Sequence, residues 1–347
     1  MASRQPVVPV RASMIATLVV AAWIVVGAPP SAVAKPPSCA VSNQGNHNDY
    51  GSLQAAVTAA TPGDTLKIKG TCIGTTSVDR DITLRGVGNA TLDGNAQGRV
   101  LRIGSGTTTI RDLTITNGKT SSLGGGIYVA TAAVLDHVLV TGNEAGATQF
   151  GGGIEADLGS SLTLTHSTVS GNSAGSSGGI DMFQANASLT KSTVAGNRAT
   201  RSPSTDPDGC AFGDLNLKYA CAGGIWNYQG RLALIDSSVT GNTAAYRGGG
   251  IATYVRLFDN GAPRSGLTTL SGTSSISSNS AGDSGGGIFL VNPVADPMFG
   301  VRAADGTSTY TDPVSGATLR AWKGSVSGNA PDQCVPTLTL GSITCGP

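Results

Sequence analysis

The sequence predicts an all-β fold, a right-handed parallel β-helix (a solenoid) with a short N-terminal capping helix. Three observations predict it. A Gly-Gly-Ile signature recurs, placing isoleucine at Ile127, Ile154, Ile180, Ile225, Ile251 and Ile288. A hydrophobic-x-x-Asn signature closes each copy, at Asn143, Asn172, Asn197, Asn242, Asn279 and Asn329. The stretches between are short β-prone runs without the Asn-Gly hairpin turns that antiparallel strands use. Repetition at a fixed step fixes architecture before any single residue is read, because each repeat buries its apolar face only by stacking on its neighbours.

The elements follow in chain order. Residues 1–34 read as a secretory signal: Arg4 and Arg11 precede an apolar run from Met14 to Val26, and Ala32-Val33-Ala34 offers a small-residue cleavage site. The run is short of the ~20 residues of a spanning helix. Residues 35–80 form a lead-in segment and cap. Leu53 to Ala60 has helical spacing, Pro62-Gly63-Asp64 stops it, and Thr65 to Lys69 alternates as a strand. Repeats occupy 81–330, and 331–347 is a C-terminal tail with cysteines. Isoleucines after the glycines and the valines or isoleucine before each Asn should stack inside as aliphatic ladders. The glycines suit positive φ or close coil contact, and the Asn column suits a left-handed corner with like-on-like hydrogen bonding.

The signatures Gly-Gly-x-Ile and hydrophobic-x-x-Asn resemble the repeat of chlamydial-type polymorphic outer membrane proteins. The lead-in is similar to that of pectate-lyase-like right-handed β-helix proteins. The resemblance covers roughly residues 50 to 330, and implies a coil in an extracellular setting. It departs in two ways: Val or Ile replaces the aromatic usual before x-x-Asn, and no C-terminal autotransporter barrel follows.

Composition narrows the function. Charged residues are 12% of the chain and the net charge is +1, so no basic surface points to nucleic acid. Glycine, 50 of 347 residues, is about twice the ~7% average. Six cysteines (Cys39, Cys72, Cys210, Cys221, Cys334, Cys345) suggest three local disulfides in an exported chain, although six cysteines allow 15 pairings. The expected protein is secreted, monomeric, and free of membrane spans once the signal is cleaved.

Breaks in the step locate insertions near 198–222, 256–266 and 292–317, which border one face from two sides. Alternation puts Tyr128, Glu155, Asp181, Trp226 and Phe289 outward on that face, with Asp157, Phe183, Tyr228 and Tyr254 two residues along. Two readings of these rings stand: an open platform for stacking on sugars, or a satellite core under folded-down insertions. Glu155, Asp157 and Asp181 are candidate catalytic carboxylates, since paired carboxyls perform acid/nucleophile work on glycosidic bonds. They equally suit Ca²⁺, which takes oxygen ligands, and a solvated acidic strip accounts for the same residues. His137 and His166 share a column with Lys191 and Asp236. That arrangement reads as a polar ladder, with metal binding the lesser reading. Asp206, Asp208 and Asp214 suggest a calcium loop or a simple turn. The face shows no Lys or Arg for β-elimination, and the Arg201 segment carries Asp206 where pectate lyases have a second arginine. The expected function is binding of polysaccharide or a cell-surface glycan. The alternatives are a polysaccharide-active enzyme on the same face and an adhesive or structural surface protein.

Overall fold

The structure, a computed structural model, describes residues 38–201, 222–254, 267–283, 285–291, 300–303, 309–311, 318–320, 325–330, 334–335, 338–340 and 343–345. The expected leader over 1–34, Cys210, Cys221 and the aspartates Asp206, Asp208 and Asp214 lie outside them, as do the side chains of Cys334, Cys345 and Tyr254. Among the described residues, no helix is long and apolar enough to cross a membrane.

The chain is a parallel β-helix. Each regular coil contributes one strand to a first sheet, two to a second and a short one to a third. Among the described residues the first sheet has nine strands, the second eighteen and the third six. The first sheet runs from Thr76–Val78 and Leu101–Ile103 through Ile127–Val129, Ile154–Ala156, Ile180–Phe183, Ile225–Tyr228 and Ile251–Tyr254 to Ile288–Val291 and Cys334–Val335. Its register is unbroken: Ile127 pairs with Ile154, Ile154 with Ile180, Ile180 with Ile225, Ile225 with Ile251 and Ile251 with Ile288. Those six side chains are fully buried, as is the matching ladder Val140, Val169, Val194, Val239 and Ile276 of the second sheet. Each such side chain contributes about 1.5–3 kcal/mol by leaving water, which makes the stacked ladders the main source of stability.

The cap forms as its sequence dictates. Helix α1, Leu53–Ala59, starts at Ser52, whose hydroxyl accepts from Ala55 N at 3.3 Å, satisfying one orphan amide of the first turn. Its buried face, Leu53, Ala56 and Val57, joins the cluster that contains Leu66 and Ile68. The strand Ala40–Asn43 pairs antiparallel with Thr65–Ile73, so the first strand lies upstream of the one expected at Thr65. A Cys39–Cys72 disulfide pins this edge. The segments Ile82–Leu84 and Ala90–Leu92, which read as separate runs, belong to one strand, Ile82–Asp93.

Two further expectations are corrected. The Asn column does not adopt left-handed backbone; the preceding residue does, at Gly142, Gly171, Gly196, Gly241, Ser278 and Gly328. That turn aims each Asn inward, where Asn143, Asn172, Asn197, Asn242 and Asn279 are at most 1% exposed. The residues 292–317 are not wholly an insertion, because Gly300–Ala303 pairs in register with Leu267–Leu270 of the second sheet. Beyond it, Thr309–Thr311 and Thr318–Arg320 pair antiparallel with each other.

Candidate functional site

The first sheet carries on its outer face a column reading Ser77, Arg102, Tyr128, Glu155, Asp181, Trp226, Ala252 and Phe289. Every sequence-predicted member of that column falls in register. The column divides chemically between Asp181 and Trp226, with ionisable groups on one side and rings on the other.

The ring half is a satellite core, not an open platform. Trp226 is 3% exposed, Tyr228 and Phe289 are 8%, and together with Ala222 and Ala252 they form a second hydrophobic cluster. Phe183 packs on its edge, its ring stacked on Tyr228 at 5.2 Å between centroids. Arg247 lies over Phe289 at 5.4 Å and pairs with Asp283 at 2.5 Å. The expectation of exposed rings is therefore corrected at Trp226, Tyr228 and Phe289: large apolar rings gain more by packing together than by facing water. Tyr128 and Phe183 remain half-buried.

Glu155 and Asp181 in the ionisable half are also covered, and for these two this reverses the reading of a solvated acidic strip. Glu155 is 2% exposed and Asp181 1%. They are direct partners on adjacent parallel strands, which puts their backbones ~4.8 Å apart. Room for Glu155 comes from the repeat's own glycines. Gly124 and Gly151 both hold positive φ, and a Cβ on Gly151 would lie 2.8 Å from Glu155 Oε2. Asp181 Oδ1 accepts from the Ser177 hydroxyl at 2.5 Å, whereas Glu155 Oε2 is buried with no hydrogen-bond partner. Burial pushes the Glu155 carboxyl well up, and the charges of Asp181 and Asp157 push it further, against a smaller opposing pull from Arg99. Asp181 is pushed up to about 7, chiefly by burial, with the Ser177 hydrogen bond opposing. Two carboxyls so close in a dry site hold protons that exposed carboxyls release.

Around this pair stand half-buried polar groups. Asp157 takes hydrogen bonds from the Tyr128 hydroxyl and from Leu158 N. Tyr128 is pushed up to about 12 by burial and by that bond, so its phenol stays a donor. The Arg99 guanidinium lies 4.9 Å from the Tyr128 ring centroid and donates to the Leu123 and Gly124 carbonyls. Arg102, next to Tyr128 in the column, pairs with Asp79 at 3.2 Å.

Arg99 and Arg102 correct the expectation that this face has no arginine. The coil from Arg99 to Arg111 lacks the Gly-Gly marker, so the repeat does not flag it. Its signal was the alternation Leu101-Arg102-Ile103, one step before Ile127-Tyr128-Val129.

The three carboxylates do not converge as a Ca²⁺ cage: among the described residues, the one trio of metal-ligating side chains with ligand atoms all within 4.8 Å is Asp136, His137 and His166.

No family model matches the chain, and no curated protein or solved structure matches it either. Chemistry must therefore be argued from the site. A carboxyl that keeps its proton above the usual range, as Glu155 and Asp181 do, can deliver it to a leaving oxygen, Asp157 accepts hydrogen bonds, and the arginines offer positive charge to an anionic group.

Proposed function

We propose that the chain is a secreted, monomeric, polysaccharide-active protein of the pectate-lyase-like β-helix type, with a hydrolytic site on the outer face of the first sheet. One observation carries the reading: Glu155 is buried beside Asp181 with an oxygen that has no hydrogen-bond partner. A structural carboxyl would be satisfied or exposed, since leaving it neither costs stability that only a function recovers. Glu155 acts as proton donor to the glycosidic oxygen, and Asp181 keeps that proton in place at neutral pH. Asp157, oriented by Tyr128, serves as the carboxylate that opposes the developing positive charge. Arg99 and Arg102 bind the chain, and the half-buried rings of Tyr128 and Phe183 border the sugar.

A second reading, binding without cleavage, is favoured by the stacked Phe183–Tyr228 edge, which offers an aromatic rim even with the rest of the rings packed away. The experiment that tests both is incubation with a polysaccharide panel, reading reducing ends and gel retardation on the same samples. The hydrolytic reading expects new reducing ends that fall at least 100-fold in Glu155→Gln and in Asp181→Asn, with retardation kept in both. Retardation without reducing ends would move the protein to the binding class. Neither signal on any polysaccharide would leave the adhesive or structural class.

A further inference from the structure

Away from the carboxyl face, each coil turns from the first to the second strand of the second sheet through one residue with positive φ. That column reads Asp112 (φ 55), His137 (φ 55), His166 (φ 48), Lys191 (φ 47) and Asp236 (φ 49), with Asp112 itself paired to Arg85. The two histidines sit on neighbouring coils because Asp136 pairs with Thr165 just before the turn and Leu139 with Thr168 just after it. Their imidazoles are stacked, 4.8 Å between centroids and 18° between planes. Asp136 joins them from below: its Oδ1 is 2.8 Å from His137 Nδ1, and one ligand atom from each of the three residues lies within 4.8 Å of the other two. Asp136 is half-buried and both histidines are exposed.

We propose that Asp136, His137 and His166 form a site for a divalent transition metal of the zinc class. Two imidazoles and a carboxylate are a nitrogen-rich donor set, which selects Zn²⁺, Cu²⁺, Ni²⁺ or Co²⁺ and not Ca²⁺ or Mg²⁺. The Asp136–His137 separation already suits a shared coordination sphere, because bonds of ~2.0–2.1 Å place neighbouring ligand atoms about 3 Å apart. His166 closes the third vertex by a side-chain rotation that its exposure allows. The fixed coil register holds the two histidines on neighbouring coils, and side-chain rotation out of the stack turns both ring edges toward one point. Arg111 stands 4.0 Å from the other carboxylate oxygen, Oδ2, and Lys191 follows in the column. Arg111 leaves Oδ1 for the metal, and the nearby positive charge sets the expected affinity below that of a closed structural zinc site. With three protein ligands the fourth position belongs to water or to a ligand atom from a partner. The site is independent of the carboxyl face and of any reaction there.

Titration of the full chain with Zn²⁺ followed by calorimetry, and with Co²⁺ followed by its visible absorption, tests the assignment. One saturable equivalent is expected, with absorption typical of a nitrogen- and oxygen-ligated four- or five-coordinate ion. His137→Asn and His166→Asn should each weaken binding at least 10-fold, and Asn keeps the left-handed backbone accessible so the coil stays folded. His47→Asn, at a positive-φ histidine elsewhere (φ 59), should leave affinity unchanged. Unsaturable uptake, or one equivalent that survives both histidine variants or is lost with His47, overturns the site.

Discussion

Two columns of buried polar side chains climb this β-helix, and they differ in one respect. Inside the coil, Asn172, Asn197, Asn242 and Asn279 each donate from Nδ2 to the next Asn in the column and to a backbone carbonyl, and each Oδ1 accepts from the Asn before it, while Asn143 Oδ1 at the start of the column accepts from Gly118 N. Asn197 shows the pattern: Oδ1 takes bonds from Asn172 N and Nδ2 at 3.0 Å, and Nδ2 gives bonds to Val169 O and Asn242 Oδ1 at 2.9 Å. On the outer face, Glu155 and Asp181 are equally dry, yet Glu155 keeps an oxygen without a partner. A saturated column stabilises the fold, whereas a buried ionisable oxygen without a partner costs stability, and that cost is what motivates the proposed role of Glu155.

The interior column should break hardest. Asn197→Ala takes the acceptor from Asn172 N, one of two bonds from Asn172 Nδ2 (the bond to Val140 O stays) and the Nδ2 donor from Val169 O, each worth about 1–3 kcal/mol when lost in a buried site. A loss of roughly 5 kcal/mol is expected in urea unfolding, with cooperativity splitting near that coil. A loss under about 1 kcal/mol would show that the ladder is replaceable and the contrast empty.

The outer column should respond to pH instead. Glu155 and Asp181 bind protons more tightly folded than unfolded, so the folded state holds more protons between their unfolded values, about 4, and their raised folded values. Stability is fully present below about pH 4 and falls as pH rises through the folded values, about 7 for Asp181. The Asp181 shift corresponds to a loss on the order of 4 kcal/mol across that window. Asp181→Asn should remove the share of the slope that Asp181 carries and leave that of Glu155, whereas exposed pairs such as Arg85–Asp112 should contribute little to it. An unchanged slope in Asp181→Asn would place the burial cost elsewhere.

How much of this was legible in the sequence follows from what the repeat encodes. The Ile and Val ladders, the Tyr128–Glu155–Asp181–Trp226–Phe289 register and the histidine column all follow from a constant step. Like-on-like stacking of Asn was legible too, but its inward direction was not, because the turn is made by the residue before it. Burial of Trp226 and Phe289 depends on how the rings pack on one another and on Ala222 and Ala252, with Arg247 over Phe289, and a period in the sequence does not encode that packing. Arg99 was the hardest to find, since it lies outside the alternating strand and reaches the site by folding over Tyr128.

The central claim, that burial holds protons on Glu155 and Asp181 well above the usual carboxylate range, is met most directly by carboxyl-selective ¹³C NMR titration. Asp181→Asn and Glu155→Gln would assign the two resonances. Two side-chain carboxyls should remain protonated far above the ordinary range, with the Asp181 midpoint near 7 and Glu155 well above 4.5. Two carboxyls that both ionise by about pH 4.5, at ordinary values, would contradict the account.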